Sequence, residues 1–305
     1  MGDDGKLLVA GATGYIGRLL SLELAARGGD VRCLVRNRSR ADDLAAAGCE
    51  IVQGDVLDPA TLRPALEGVS VAYYLVHSMG RGGDAKFATR DRRAAENFAT
   101  AAAEAGVELI VYLGGLTEGG SEHLASRHET ARVLQASGVP LTYFRAAAVI
   151  GAGSESFRLT LYLTRRLPVM ITPSWTATDT QPIAIGDVLR YLLKAPEVPE
   201  AHGREIEIGG PDVTTYAGMI DACAEALDLP RRWRIPVPVL SPWLSSLWVG
   251  LVTPVDVGVA RPLIEGAESE TVVSDPSGMK LFEVSAMSLS EAMRAAVEEA
   301  RADGA

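Results

Sequence analysis

The sequence is short of several things, and each shortage excludes a class of function. Only four of its 29 basic residues are lysines (Lys6, Lys86, Lys194, Lys280), and the arginines are scattered. Against 39 acidic residues the net charge is −10. Such a chain repels a phosphodiester backbone unless it gathers a basic face, so no nucleic-acid partner is expected. Three cysteines (Cys33, Cys49, Cys223) form no CxxC pair and no disulfide framework; they read as small buried hydrophobes in a reducing compartment. Four histidines (His77, His123, His128, His202) show no metal-ligand spacing, so no metal is expected. Nor does any apolar run reach the roughly 20 residues of a membrane-spanning helix. The most apolar stretch, from Ile235 to Ala260, is broken by Pro236, Pro238, Pro242, Pro254 and Asp256. The start, Met-Gly-Asp-Asp-Gly-Lys, lacks a signal peptide's apolar stretch, and a cytoplasmic protein is the expectation.

What is present is a chain of 305 residues with 48% hydrophobic residues, enough for a sizeable core in one large or two closely packed domains. Strand-like runs alternate with helical patterns. Lys6–Ala10 reads as a strand, Ile16, Leu19, Leu20 and Leu24 mark a helix closed by Gly28-Gly29, and Val31–Val35 is a second strand. Strands at 50–53, 71–76, 109–113 and 141–145 follow, with helices at 58–68, 84–105 and 126–136 between them. This rhythm predicts a doubly wound, parallel α/β sheet over residues 1–150. After Ile150 it changes. Residues 177–195, with a helix expected to be capped by Asp187, return to the main domain. Residues 151–176 and 196–305 form a smaller, mainly helical part carrying the substrate or a partner. Ser288 and Glu291 open its last helix.

Gly11-Ala-Thr13-Gly14-Tyr15-Ile16-Gly17 lies between the first strand and the first helix. A tight turn, a close backbone approach to a diphosphate and close packing of helix on strand each need one of the three glycines, and the helix N-terminus supplies N–H donors. Where an acidic residue would hold the ribose hydroxyls of NAD(H), the second strand ends in Arg36, with Arg38 and Arg40 behind it. A guanidinium suits a 2′-phosphate, so NADP(H) is favoured over NAD(H); a solvated arginine loop is the other reading. Asp55, beside Val56, stands either against the adenine amino group or as an ordinary turn residue.

These motifs, with Tyr74-Leu75-Val76-His77-Ser-Met79, Tyr112-Leu-Gly-Gly-Leu116, Ser126-Arg127-x-Glu129, Phe144-Arg-Ala-Ala-Ala-Val-Ile-Gly151 and Gln181-Pro-Ile183, resemble the atypical short-chain dehydrogenase/reductases. Within them the chain is most similar to the NmrA-like NAD(P)H-binding branch and its bacterial YbjT-type subgroup, which is related to the nucleotide-binding accessory subunit of respiratory complex I. The resemblance runs to about Phe282. It implies a Rossmann fold and an NADP(H) site of Gly11, Thr13, Gly14, Tyr15, Ile16, Gly17, Arg36, Arg38, Asp55, Val56, Leu75, Val76, His77 and Arg127. It does not imply one reaction, because reductases, redox sensors and accessory subunits share the scaffold.

Typical members of that superfamily pair Tyr-x-x-x-Lys on a helix with a serine on the preceding strand, so that the ammonium lowers the phenol's pKa. None of the eight tyrosines has a lysine four residues later, and Gly114-Gly115 stand where the serine would. The candidates left for catalysis are Arg127, His77 and His128. Arg127 could take the lysine's binding role. His77, at the end of the fourth strand, falls on the cofactor side by topology. His128 is an acid only if it leaves the ordinary surface position of a helical histidine. The expected activity is hydride transfer to a hydrophobic carbonyl, enone or quinone; the alternative is a non-catalytic NADP(H) sensor or an accessory subunit of a membrane-associated complex. Trp243, Leu244, Leu247, Trp248 and Leu251 fall at helical spacing, either as a core-facing helix or as a surface for peripheral membrane contact, with Arg231, Arg232 and Arg234 ahead of them.

Overall fold

A computed structural model describes residues 5–77, 84–117, 122–237, 253, 257–302 and 304. Seven parallel strands form the central sheet: β1 (Lys6–Ala10), β2 (Val31–Val35), β3 (Glu50–Gln53), β4 (Val69–Tyr74), β5 (Leu109–Gly115), β6 (Leu141–Ala146) and, far along the chain, Glu205–Ile208. Their order is Glu205–Ile208, β6, β5, β4, β1, β2, β3, so the sheet reverses its direction of growth between β1 and β4. In doubly wound sheets the crevice at that reversal is where ligands bind.

The strands alternate their apolar residues to both faces. Leu7, Val9, Cys33, Tyr73, Val111 and Phe144 enter one core, shared with α1 (Tyr15–Ala26). Leu8, Ala10, Leu34, Ala72, Tyr74, Ile110 and Tyr112 enter the other, against α3 (Pro59–Leu66), α4 (Asp84–Glu104) and α5 (Glu122–Gln135); the short α2 (Asp42–Ala46) precedes β3. Burial on both faces is what a parallel sheet requires, each large aliphatic contributing about 1.5–3 kcal/mol. All three cysteines are buried, and burial pushes the Cys33 thiol up to about 12.

Helix ends follow local chemistry. Gly14 starts α1, and Gly28, at φ +81°, ends it as Gly29 N–H donates back to Leu24 O. The Asp58 side chain accepts from Ala60 N–H ahead of Pro59 at the start of α3. Several expected boundaries move, β4 among them, which runs over Val69–Tyr74 rather than 71–76. α5 begins at Glu122, four residues before Ser126, and still contains no tyrosine or lysine.

Past Ile150 come α6 (Glu155–Arg166) and a strand at Val169–Pro173. α7 (Ile185–Lys194) begins two residues before Asp187, which is therefore not its cap. Asp187 is fully buried in the first turn, where its carboxylate accepts from Arg190 (2.6 Å) and Met287 N–H (2.8 Å). α7 packs on α1, and Ile183–Ala184 just before it pairs in parallel with Val149–Ile150. α8 (Tyr216–Ala226), α9 (Val257–Ala267), the short α10 (Ser277–Lys280) and α11 (Leu289–Ala302) complete the helices named here. Ser288 and Glu291 bond reciprocally at the start of α11. A further core, separate from the sheet, joins α6, α8 and α11 through Phe157, Leu161, Met219, Met293 and Val297. The expected helix at 243–251 and the glycine loop at 80–83 lie outside the described residues. Among the described residues no helix is long and apolar enough to cross a membrane.

Candidate functional site

At the C-terminal ends of β1, β2 and β4 the turns open a cleft with two chambers. They meet at Gly11, Gly14, Leu75, Val76 and His77. The first, about 260 Å³, is walled by Thr13, Arg36, Arg40, Asp55, Val56 and Arg90. The second, about 370 Å³, runs past Tyr15, Ile16, Gly17, Leu113, Leu116, Arg127 and Ala146–Val149 to Tyr216, Thr271 and the α9 residues Pro262, Leu263 and Gly266.

The glycine turn is tight for steric reasons. Gly11 sits at φ +92°, and a Cβ there would lie 2.6 Å from Leu75 O. A Cβ at Gly17 would lie 2.3 Å from Gly11 O, so helix and strand approach only with glycine in place. Gly14 N–H donates to Gly11 O (2.9 Å), closing the turn. Tyr15 stands against a second glycine turn: a Cβ at Gly153 would meet its ring at 2.3 Å.

The residues expected around the cofactor line the two chambers with one exception. Arg38 is exposed in a single helical turn (Arg38–Arg40) and is not in the lining, because the turn swings Arg40 inward in its place. Arg40 O accepts from Arg18 (2.7 Å), which anchors that turn to α1. Arg90 joins from α4, a position with no local sequence signal. The first chamber thus holds three guanidinium groups against the carboxylate of Asp55, whose Oδ1 accepts from Leu57 N–H (3.0 Å).

In the second chamber Arg127 donates from Nη2 to Leu113 O (2.9 Å), which fixes its guanidinium at the end of β5. Its Nε is buried and has no hydrogen-bond partner among the described residues. An unsatisfied buried donor costs about 1–3 kcal/mol, a cost that a ligand acceptor at this point would remove. Glu129 does not orient it: that carboxylate faces Arg92 (3.6 Å) and Arg132 (4.0 Å). His77 is exposed at the junction of the chambers.

His128 is placed elsewhere. It is 6% exposed rather than on the surface, and it lines neither chamber. Its Nε2 donates to Thr117 O (2.8 Å), and Tyr143 Oη lies 3.3 Å from Nδ1. A carbonyl can only accept, so the proton belongs on Nε2 and the tyrosine hydroxyl donates to Nδ1. Gly114 completes this arrangement, since a Cβ there would lie 2.7 Å from Tyr143 Oη. A serine cannot enter at that position without moving the tyrosine. Thr117 Oγ1 donates to Glu270 O (2.9 Å).

Tyr216, at the start of α8, was not expected in the site. Burial pushes its phenol up to about 12, against hydrogen bonds with Thr271 and Thr180, so it stays protonated at neutral pH. Only the fold brings it to the chamber, because 100 residues separate it from Leu116.

A nicotinamide dinucleotide fits this cleft. The two Cβ-intolerant glycines let the backbone approach a diphosphate, and Arg127 Nε awaits an acceptor. Residues 11–161 match the family model described as NAD(P)H-binding. The chain is 28% identical over 229 residues (72% of this chain, 68% of the relative) to the photosystem II assembly factor Ycf39 of Trieres chinensis. It is 26% identical over 216 residues (68% and 69%) to an isoflavone reductase homolog of Zea mays. The NADPH-dependent quinone oxidoreductase QOR2 of Escherichia coli, solved with NADPH, superposes with a TM-score of 0.75 at 20% identity over 94% of this chain and 98% of that one. Together these likenesses support the NAD(P)H-binding, NmrA-like branch of the atypical short-chain dehydrogenase/reductases as the family of this chain.

Proposed function

We propose that the chain is an NADP(H)-dependent reductase that reduces a hydrophobic carbonyl, enone or quinone in the Arg127 chamber without a tyrosine–lysine pair. The observation that carries this reading is the contrast within one cleft. One chamber is lined by three arginines suited to phosphate; the other is mostly aliphatic, with one fixed guanidinium. NADP(H), when bound, supplies the hydride. Arg36, Arg40 and Arg90 recognise its 2′-phosphate and set the preference over NAD(H). Arg127 orients the ribose through Nε and places positive charge beside an acceptor oxygen as it gains electron density. Ala146, Ala147 and Ala148 leave room for a flat acceptor, while Leu113, Leu116 and Leu263 exclude water from it. His77, at the mouth of the chamber, passes the proton from solvent. The names of the maize relative and of the bacterial quinone oxidoreductase agree with this acceptor class.

The test is calorimetric titration with NADPH and NADH, followed by loss of NADPH absorbance with quinones and enones. Arg36→Ala with Arg40→Ala should weaken NADPH by about 30-fold and leave NADH unchanged, the loss of charged hydrogen bonds worth about 2 kcal/mol. Arg127→Ala should lower kcat/KM about 100-fold with a much smaller change in NADPH affinity. Tight NADPH binding with no acceptor-dependent oxidation would replace the reductase by a redox sensor.

A further inference from the structure

Outside the cleft, two strands form a parallel ribbon that is not part of the central sheet: Val169–Pro173 beside Trp233–Val237. Trp233 pairs with Val169 and Ile235 with Ile171 in register, so alternation sends all four side chains to one face. That face is open: Trp233 is 78% exposed, Ile235 54%, Val169 48% and Ile171 43%. Met170 and Thr172, on the opposite face, are buried. Only Val213 joins these four among the described large hydrophobics that are exposed.

The ribbon also has a charged end. Because the strands are parallel, the residues leading into both lie together: Arg165 and Arg166 close α6 ahead of Val169, and Arg231 and Arg232 precede Trp233. Arg232 Nε donates to Thr164 O (2.9 Å) and Trp233 N–H to Pro168 O (3.0 Å), which fastens the starts of the two strands to each other. Arg165, Arg166 and Arg231 are exposed; the Arg166 guanidinium sits 5.5 Å from the Tyr162 ring centroid. Asp221 opposes this charge by pairing with Arg231 (3.3 Å) and Arg234. In a chain of net charge −10, no Asp or Glu occurs between Glu155 and Asp179 or between Asp228 and Asp256.

We propose that this ribbon docks the protein on an anionic phospholipid surface. Trp233, Ile235, Val169 and Ile171 enter the headgroup–acyl boundary, and the arginines at one end meet the lipid phosphates. An apolar strip with a tryptophan and a cationic end matches the two terms of interfacial binding, apolar burial and attraction to anionic headgroups. A protein partner would have no equal need for a cationic edge in an otherwise acidic chain. The inference is independent of the reaction in the cleft and moves the expected membrane contact from the helix expected at 243–251 to the paired strands.

The test is flotation of the full chain with vesicles of phosphatidylcholine alone or mixed with phosphatidylglycerol. The full chain should float with the mixed vesicles and not with the neutral ones, and added salt should release it. Trp233→Ser with Ile235→Thr should reduce partitioning about ten-fold or more at unchanged NADPH affinity and thermal midpoint. Arg165→Gln with Arg166→Gln should reduce it by a similar factor, and this pair decides if the first loses its fold. Three results would overturn the proposal: no flotation of the full chain, flotation that survives both double variants, or a lipid-free dimer abolished by the ribbon substitutions, which would assign the face to a second copy. Loss of flotation on Trp248→Asp but on neither double variant would also overturn it, by assigning binding to residues 238–256.

Discussion

The arginine-lined chamber draws most of its wall from three short stretches, 11–14, 34–40 and 54–57, each a turn at the end of a neighbouring strand. The Arg127 chamber gathers residues 113–116, 124–127, 146–156, 216 and 262–271 from across the chain. The first is held by backbone geometry that is set within each stretch. The second is held by side chains that clasp distant segments: Gln181 to Gly210 and Val273, Thr180 to Thr271, Glu207 to Ser274 and Asp275. One chamber is therefore fixed by the sheet, and the other can vary in shape as the clasps change. On the proposed function, a common scaffold with an acceptor space built from distant segments is what a family of many activities needs.

The largest effect expected is where α1 presses on Gly11, one of the residues shared by the two chambers. Gly17→Ala puts a Cβ 2.3 Å from Gly11 O, with Gly11 C at 2.9 Å and Ala12 Cα at 3.1 Å, all of them backbone. The turn must open. NADPH affinity should fall by about 100-fold or more, with a stability loss of about 2 kcal/mol read from denaturant unfolding. Unchanged affinity would mean that the turn does not hold the diphosphate, and the contrast between the chambers would collapse with it.

The same contrast explains what could be read before the fold was known. Residues 11–17, Arg36 and Asp55 announce themselves because a glycine turn and a strand end are local patterns with local causes. The sheet was legible too, through alternating apolar runs. Which of Arg38 and Arg40 lines the chamber is decided by a single helical turn, and periodicity does not resolve one turn. His128 misled because its burial comes from Tyr143 on β6 and the Thr117 carbonyl, both non-local. Arg90 and Tyr216 had no signal: each reaches the cleft only after its helix packs. Trp233 was masked by the more apolar sequence that follows it, since a strand's open face depends on register, which is a property of two segments.

A smaller effect should separate the chambers. Gln181 Nε2 donates to Gly210 O (2.7 Å) and its Oε1 accepts from Val273 N–H (2.9 Å). Gln181→Ala leaves both backbone groups in need of water and should cost about 1–3 kcal/mol of stability. Acceptor KM should rise about five-fold while the NADPH dissociation constant stays within about two-fold, because Val273 lies two residues beyond Thr271, which lines the Arg127 chamber and not the other. Equal effects on both ligands would show that the chambers are mechanically one.

The smallest effect lies at the far ends of the strands that carry the arginine-lined chamber. Glu50 opens β3, and its Oε2 accepts from Lys6 Nζ (2.7 Å) at the start of β1 and from Arg32 Nε (2.9 Å) on β2. The Lys6 bond foremost, and then Arg32, hold its carboxyl below the ordinary 4.5. The unfolded chain takes up a proton at the ordinary value and the folded chain resists it. The stabilisation is therefore fully present above pH 4.5 and is lost as pH falls through the lowered value. Glu50 is 43% exposed, so solvent screens it, and Arg32 keeps its bonds to Ala65 O (2.8 Å) and Glu67 O (2.9 Å) whatever the carboxylate does. Glu50→Gln should thus cost only about 0.5 kcal/mol at neutral pH, a difference that shrinks as pH falls below about 4.5 in urea melts. NADPH affinity should not change at all. In a parallel sheet the same three strands then do two separable jobs: their first residues hold one another by charge, and their last residues lead into the turns that wall the arginine-lined chamber.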